Sequence, residues 1–209
     1  MSRLVTLEGI EGSGKSTHLG YLAAHLRAAG HAVVETREPG DTPAGAAIRR
    51  LLLGTERLPL APLAELFLYC ADRTQHVADV IRPALDAGRI VVCDRFSDST
   101  IAYQGYGRGL DLEMVRTLDA HARMGVRPWL TVLLDCAVDE GLARARGRRG
   151  PGDRFEQEVR AFHERVRDGF LALAAAEPAR FCVVDSAAPL AEVRDRLVAA
   201  VERRLRDAA

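Results

Sequence analysis

Gly9-Ile10-Glu11-Gly12-Ser13-Gly14-Lys15-Ser16-Thr17 holds two glycines, Gly9 and Gly14, separated by four residues and followed at once by Lys and Ser. That is the spacing of a phosphate-binding P-loop. The flanks agree with it. Arg3-Leu4-Val5-Thr6-Leu7 reads as a buried strand, and Lys15 to Ala29 reads as a helix with Leu19, Leu22, Ala23 and Leu26 at i, i+3, i+4 and i+7. Gly30 supplies the stop. In such a turn the backbone N–H groups converge on a polyphosphate at a helix N-terminus, whose dipole favours anions. All nine residues from Gly9 to Thr17 are therefore candidate nucleotide contacts, with Lys15 reaching the β- and γ-phosphates and the Ser16 hydroxyl meeting Mg²⁺.

Composition points to the same lysine. Of 29 basic side chains, Lys15 is the single lysine and every other is arginine. A compact ammonium is thus reserved for the one place where a planar guanidinium fork would not serve. With 29 acids against 29 bases the formal net charge is zero, so no chain-wide field points to nucleic acid or to an anionic membrane. No apolar run has the length of a membrane span and the N-terminus enters a strand directly, which predicts a cytoplasmic location. The 209 residues suit one α/β domain, 1–209. Cys70, Cys93, Cys136 and Cys182 lack metal-ligand spacing and read as reduced core residues. His18, His25, His31 and His121 read as solvated, and no histidine is given a role.

Apolar runs at Leu4 to Leu7, Ala32 to Glu35, Ile90 to Cys93, Trp129 to Leu134 and Phe181 to Val184 alternate with helical patterns. That alternation predicts a three-layer α/β fold, a five-stranded parallel sheet with helices on both faces. Ligands in such folds bind beyond the carboxyl ends of the strands, so the residues after each strand matter most. Arg37 follows the second strand in a loop stiffened by Pro39, Gly40 and Pro43. Asp94 and Arg95 follow the third, where a carboxylate holds Mg²⁺ or its waters and a guanidinium clamps a phosphate. On a helix from Ala61 to Leu85 the apolar stripe Leu63, Leu66, Phe67, Cys70, Val77 and Ile81 is expected to face the core. Tyr69 and Arg73 share another face and suit a flat heterocycle, although the default reading of such a pair is a core ring beside a surface charge. The glycine-rich stretch Ile101 to Gly109 reads as a pocket wall or flap, or as a turn leading into a helix from Asp111 to Met124. Arg144, Arg146, Arg148, Arg149 and Arg154, broken by Gly150-Pro151-Gly152, read as a short Arg-rich lid at about 144–154.

Three functions fit a P-loop alone: a nucleoside-monophosphate kinase, a deoxynucleoside kinase, and a nucleotide-controlled regulatory protein. A guanine-specific switch of the usual kind needs an Asn-Lys-x-Asp element, for which no second lysine exists. The P-loop, Arg37-Glu38-Pro39-Gly40, Tyr69-Cys70-Ala71-Asp72-Arg73, Asp94-Arg95-Phe96, Ala102-Tyr103-Gln104-Gly105 and the Arg-rich lid, in this order, closely resemble bacterial thymidylate kinases, from Arg3 to about Val198. The resemblance implies ATP-dependent phosphorylation of dTMP to dTDP on the route to dTTP, with Mg²⁺, in a homodimer. It implies that Arg37 and Arg95 bind the acceptor phosphate, Tyr69 stacks on thymine, Arg73 bonds its O4 and Thr100 its ring edge. Tyr103 would pack under the deoxyribose with Gln104 nearby, and Ser16 and Asp94 would serve the metal. Glu11 in the P-loop suits the subtype whose catalytic arginine lies in the lid, leaving Arg146, Arg148, Arg149 and Arg154 as candidates beside Lys15 and Arg95. The chain departs from the family at Tyr69, where Phe is usual, and at Asp41, where a second glycine is common. The loop after Asp185, Asp185-Ser186-Ala187-Ala188, is the expected rest for adenine.

Overall fold

Strand β1 (Leu4–Glu8) is buried at every position, as a central parallel strand must be. In the computed structural model, which describes residues 3–54, 58–147, 155 and 158–207, it lies in a five-stranded sheet. The other strands are β2 (Val33–Arg37), β3 (Ile90–Asp94), β4 (Leu130–Asp135) and β5 (Phe181–Asp185), in the order β2-β3-β1-β4-β5. All four pairings are parallel. Helix α1 (Lys15–Ala28) follows β1, α2 (Pro43–Leu53) follows β2, and α3 (Pro62–His76) runs through a π-helical turn, Val77–Ile81, into α4 (Arg82–Asp86). After β3 come α5 (Ser97–Thr100), a π-helical stretch Ile101–Gly107, and α6 (Leu112–Ala122); α7 (Val138–Arg146) and α8 (Arg160–Ala176) follow β4, and α9 (Leu190–Arg206) follows β5.

Alternate residues of each strand feed opposite cores, as the two-residue period requires. Val5, Leu7, Val92, Val132 and Leu134 pack with Leu22, Leu26 of α1 and Val193, Leu197 and Val201 of α9. On the other face Leu4, Val91 and Cys93 meet Val77, Ile81 and Phe96, while Leu133 joins Tyr103, Phe155, Phe162 and Phe170. Between these, Thr6 and Thr131 share a hydrogen bond at 2.9 Å. Asp98, 2% exposed, accepts from Thr131 Oγ1 at 3.0 Å and from both Arg180 Nη groups at 2.7 and 2.9 Å.

Several expectations are corrected. Strand β2 runs two residues past Glu35, because its ladder with β3 continues to Arg37 opposite Asp94. Arg37 is therefore the last residue of a strand. On the predicted helix the apolar stripe is buried at Leu66, Val77 and Ile81, but Leu63 and Phe67 are 39% and 51% exposed, and Glu65, Asp72, Arg73 and His76 are buried as well. Charged side chains are accepted inside because each has a hydrogen-bonding partner there. The stretch from Ile101 to Gly107 is buried π-helix, so of its two readings the wall applies and the flexible turn does not. His18 is buried, not solvated. The four cysteines are unbridged; Cys93 and Cys136 are buried and Cys70 and Cys182 partly so.

Candidate active site

Register places the chemistry. Leu7 pairs with Asp94, and Asp94 with Arg37, so the ends of β1, β3 and β2 bring the P-loop, the Asp94-Arg95 pair and Arg37 to one rim. A cavity of about 520 Å³ opens there. Glu11 through Thr17, Arg37, Tyr69, Arg73, Asp94, Arg95, Thr100, Tyr103 and Gln104 line it, which unites nearly every residue singled out in the sequence. Gly9 and Ile10 stand behind the lining. Arg146 ends α7 on an exposed surface and is not in the wall, while Arg148, Arg149 and Arg154 lie outside the described residues.

The turn itself depends on glycine. Gly12 has φ +71°, and a Cβ on it would meet the Gly141 carbonyl oxygen at 1.9 Å, inside any tolerable contact. Lys15, 7% exposed, donates to Gly9 O at 3.0 Å, Ile10 O at 2.7 Å and Ser13 Oγ at 3.2 Å. Burial and the positive Arg95 push its ammonium down to about 8, against the pull of Asp94, Glu11 and Glu8. An arriving phosphate would add to that pull and hold the lysine charged.

Ser16 Oγ donates to Asp94 Oδ2 at 2.6 Å. Hydroxyl and carboxylate at this separation are hard oxygen donors within reach of one small cation. Mg²⁺ takes one or two protein oxygens together with waters and substrate phosphates, and this hydroxyl and carboxylate are of the kind it would use.

Arg95 sits at φ +69°, a conformation costing an ordinary residue about 1–2 kcal/mol. Its guanidinium lies 4.9 Å from the centre of the Tyr103 ring and donates to Gly9 O at 3.0 Å, Ser99 Oγ at 3.1 Å and Glu11 Oε1 at 2.9 Å. Glu11 also accepts from Tyr103 OH at 2.5 Å, and its second oxygen lies 3.3 Å from His163 Nδ1, with angles short of a good hydrogen bond. Burial would raise the Glu11 carboxyl, but His163, Arg95, Lys15 and Tyr103 together hold it at about 2. Arg73 is buried between Glu38, Asp119 and Thr100, and Gln104 Nε2 donates to Glu65 at 2.9 Å. At the far end Ser186 and Ala188, from the loop expected to rest adenine, line the cavity beside Arg144, whose Nη1 donates to Ser186 O at 2.9 Å.

A P-loop facing an Asp-Arg strand end and a pocket holding Tyr69 and Arg73 can be set against known proteins. The sequence model described as thymidylate kinase matches residues 7–197. The chain belongs to the thymidylate kinase family. A protein named thymidylate kinase from Trichlorobacter lovleyi is 53% identical over 206 residues, covering 96% of this chain and 97% of that one. Another of that name, from Syntrophotalea carbinolica, is 55% identical over 202 residues and 94% of each chain. The crystal structure of thymidylate kinase from Ehrlichia chaffeensis superposes with a TM-score of 0.76 at 34% identity, over 95% of this chain and 97% of that one.

Within this thymidylate kinase fold, sequence reading passed over the carboxylates behind the pocket. Glu8, wholly buried at the end of β1, accepts from Phe96 N at 2.8 Å and Ser99 Oγ at 2.6 Å. It thereby pins Phe96 and Ser99, which follow Arg95. Its one sequence signal is a carboxylate ending an otherwise apolar strand. Burial and the nearby Asp98 push its carboxyl from 4.5 up to about 8, against Ser99, Arg95 and the Phe96 N–H. Between those values the folded chain keeps a proton that the unfolded chain has released, so this group's contribution to stability falls as pH rises from about 4.5 to 8. Glu8→Gln keeps the acceptor for Phe96 and offers Ser99 an N–H. The variant is expected to melt with wild type near pH 5 and above it at pH 8, in thermal unfolding followed by circular dichroism. Parallel melting curves at both pH values would contradict this reading of Glu8.

Proposed function

We infer that this chain transfers the γ-phosphoryl group of ATP to dTMP, giving ADP and dTDP, and we assign its side chains on that basis. The family supports the reaction. The observation that carries the assignment is the common rim of the P-loop, Asp94-Arg95 and Arg37, which sets a donor polyphosphate beside two guanidinium groups for an acceptor phosphate. A deoxynucleoside kinase, whose acceptor is a neutral hydroxyl, has no use for that pair of charges.

Phosphoryl transfer asks the protein for positioning and charge stabilisation more than for covalent chemistry. The P-loop amides and Lys15 hold the donor phosphates. Ser16 and Asp94 would hold Mg²⁺, which neutralises phosphate charge when bound. Arg95 and Arg37 direct the acceptor phosphate in line. Arg95 is already oriented by Glu11, Ser99 and Gly9 O, so little of its side-chain freedom is lost on binding. Tyr69 stacks on thymine, Arg73 donates to its O4, and Thr100 meets the ring edge. Tyr103, its hydroxyl tied to Glu11, packs under the deoxyribose, and Gln104 supports the same wall from Glu65. The adenine end rests against Ser186 and Ala188. A lid arginine, Arg146, Arg148, Arg149 or Arg154, covers the transferring group.

The unit is one domain, 1–209, with the lid at about 144–154, working as a homodimer in the cytoplasm. Support for the homodimer comes from Leu51 of α2 and Leu63 and Phe67 of α3, apolar side chains left 44%, 39% and 51% exposed on helices that pack together. No described helix is long and apolar enough to cross a membrane. ADP release from ATP that requires both dTMP and Mg²⁺ is the expected outcome of a coupled assay. Release that proceeds without either one would overturn the reading.

A further inference from the structure

Helix α6 carries a buried carboxylate that phosphoryl chemistry does not use. Asp119 is 1% exposed, in a setting where a lone carboxylate is too costly to keep, so its partners define its role. Oδ2 accepts from Ser97 Oγ at 2.5 Å and from Arg123 Nε at 2.9 Å. Oδ1 accepts from Arg73 Nη1 at 2.9 Å. Arg73 is gripped from two more directions. Glu38, from the loop after β2, accepts from Nε at 2.9 Å and lies 2.8 Å from Nη2, while Thr100 of α5 accepts from Nη1 at 2.8 Å. The Phe96 ring covers a face of the guanidinium at 5.2 Å.

Counting hydrogens shows what this arrangement leaves over. A guanidinium has five N–H groups in a rigid plane. Glu38 takes the one on Nε and lies 2.8 Å from Nη2 as an ion-pair partner, and Thr100 and Asp119 take both on Nη1. Nη2 is the nitrogen left to donate, on a side chain that borders the cavity. Glu38 alone balances the Arg73 charge, and Asp119 is balanced again by Arg123. Buried ion pairs are often no more stabilising than the apolar residues that could replace them. The second carboxylate therefore contributes direction.

We propose that Asp119 is a positioning residue for base selection: opposing Glu38 across the guanidinium, it fixes the direction in which the Arg73 Nη2 group is left to donate to a 4-oxo acceptor on the pyrimidine. This rests on the assignment of Arg73 to thymine O4. Asp119 itself touches no substrate.

The test compares wild type, Asp119→Asn and Arg73→Lys in steady-state kinetics with dTMP and with 5-methyl-dCMP, which presents an amino group where dTMP presents the oxygen. Asp119→Asn is expected to lower the dTMP preference in kcat/KM roughly tenfold, the size of one misdirected hydrogen bond. The KM for ATP should stay within about twofold, since uniform donor binding is untouched. Arg73→Lys should lower the preference at least as far. If Arg73→Lys lowers it and Asp119→Asn does not, the positioning role is overturned while the base assignment stands. If neither variant changes it, the Arg73 assignment fails and the positioning role with it. Equal losses with both nucleotides in Asp119→Asn would mean a merely structural carboxylate and would also overturn the proposal. Should Asp119→Asn fail to fold, Asp119→Glu, which keeps the charge one methylene farther out, is judged by the same ratio.

Discussion

Lys15→Ala is expected to lower kcat for phosphoryl transfer by on the order of 10²–10³, the range seen when one preorganised charge-stabilising donor is removed from an active site. The lysine is placed for that loss. Its Nζ lies within the P-loop, bonded to Gly9 O, Ile10 O and Ser13 Oγ, so its charge sits where the donor phosphates must rest. Deleting it removes one donor from each acceptor, but Gly9 O keeps Arg95 and Ile10 O keeps the Ser13 N–H, so the cost stays near the low end of about 1–3 kcal/mol for a buried group losing its partner. It also removes the expense of burying an ammonium, so the two partly offset. A domain with roughly 5–15 kcal/mol of stability survives the difference. Thermal unfolding should therefore show a folded variant, and single-turnover kinetics should show the lost rate. Wild-type turnover in folded Lys15→Ala would remove the P-loop from the chemistry.

Arg95→Ala is expected to reduce kcat/KM for dTMP by on the order of 10²–10³ while leaving the KM for ATP nearly unchanged, because charge-assisted contact to the acceptor phosphate is lost and donor contacts are not. A control is built into the backbone. At φ +69° alanine is strained and glycine is not, so Arg95→Gly should be the more stable of the two variants yet equally impaired. Equal impairment assigns the loss to the guanidinium. If Arg95→Gly recovered activity that Arg95→Ala had lost, backbone geometry would be the contribution of this position and the phosphate assignment would fail.

The P-loop, the parallel sheet and the Asp94-Arg95 corner were legible in the sequence because each is local: a motif of nine residues, runs of apolar strand, a carboxylate at a strand end. The end of β2 was not, since Arg37 joins the ladder only through pairing with Asp94 on a strand far away in the chain. The full width of the buried face of α3 is hidden for a related reason. Leu66 of the apolar stripe is buried, but Glu65, Asp72, Arg73 and His76 also turn inward, to meet Gln104, Gly40, Asp119 and Glu38. Periodicity detects a stripe and does not reveal which polar side chains have partners waiting. Glu8 and Asp119 were passed over likewise, their bonds reaching Ser99 and Arg73 across 91 and 46 residues. No spacing rule spans such distances.

The measurement that bears most directly on the central claim is Mg²⁺-dependent ADP release from ATP with dTMP, dUMP, UMP, CMP and AMP offered one at a time, and Lys15→Ala as the blank. Strong turnover with dTMP, weaker turnover with dUMP and little with the rest is the predicted result if, as proposed, Tyr69, Arg73 and Thr100 read a 4-oxo pyrimidine and Tyr103 packs under a deoxyribose. Equal turnover with AMP or CMP would contradict the base pocket, and turnover with none of the five would contradict the phosphotransferase itself.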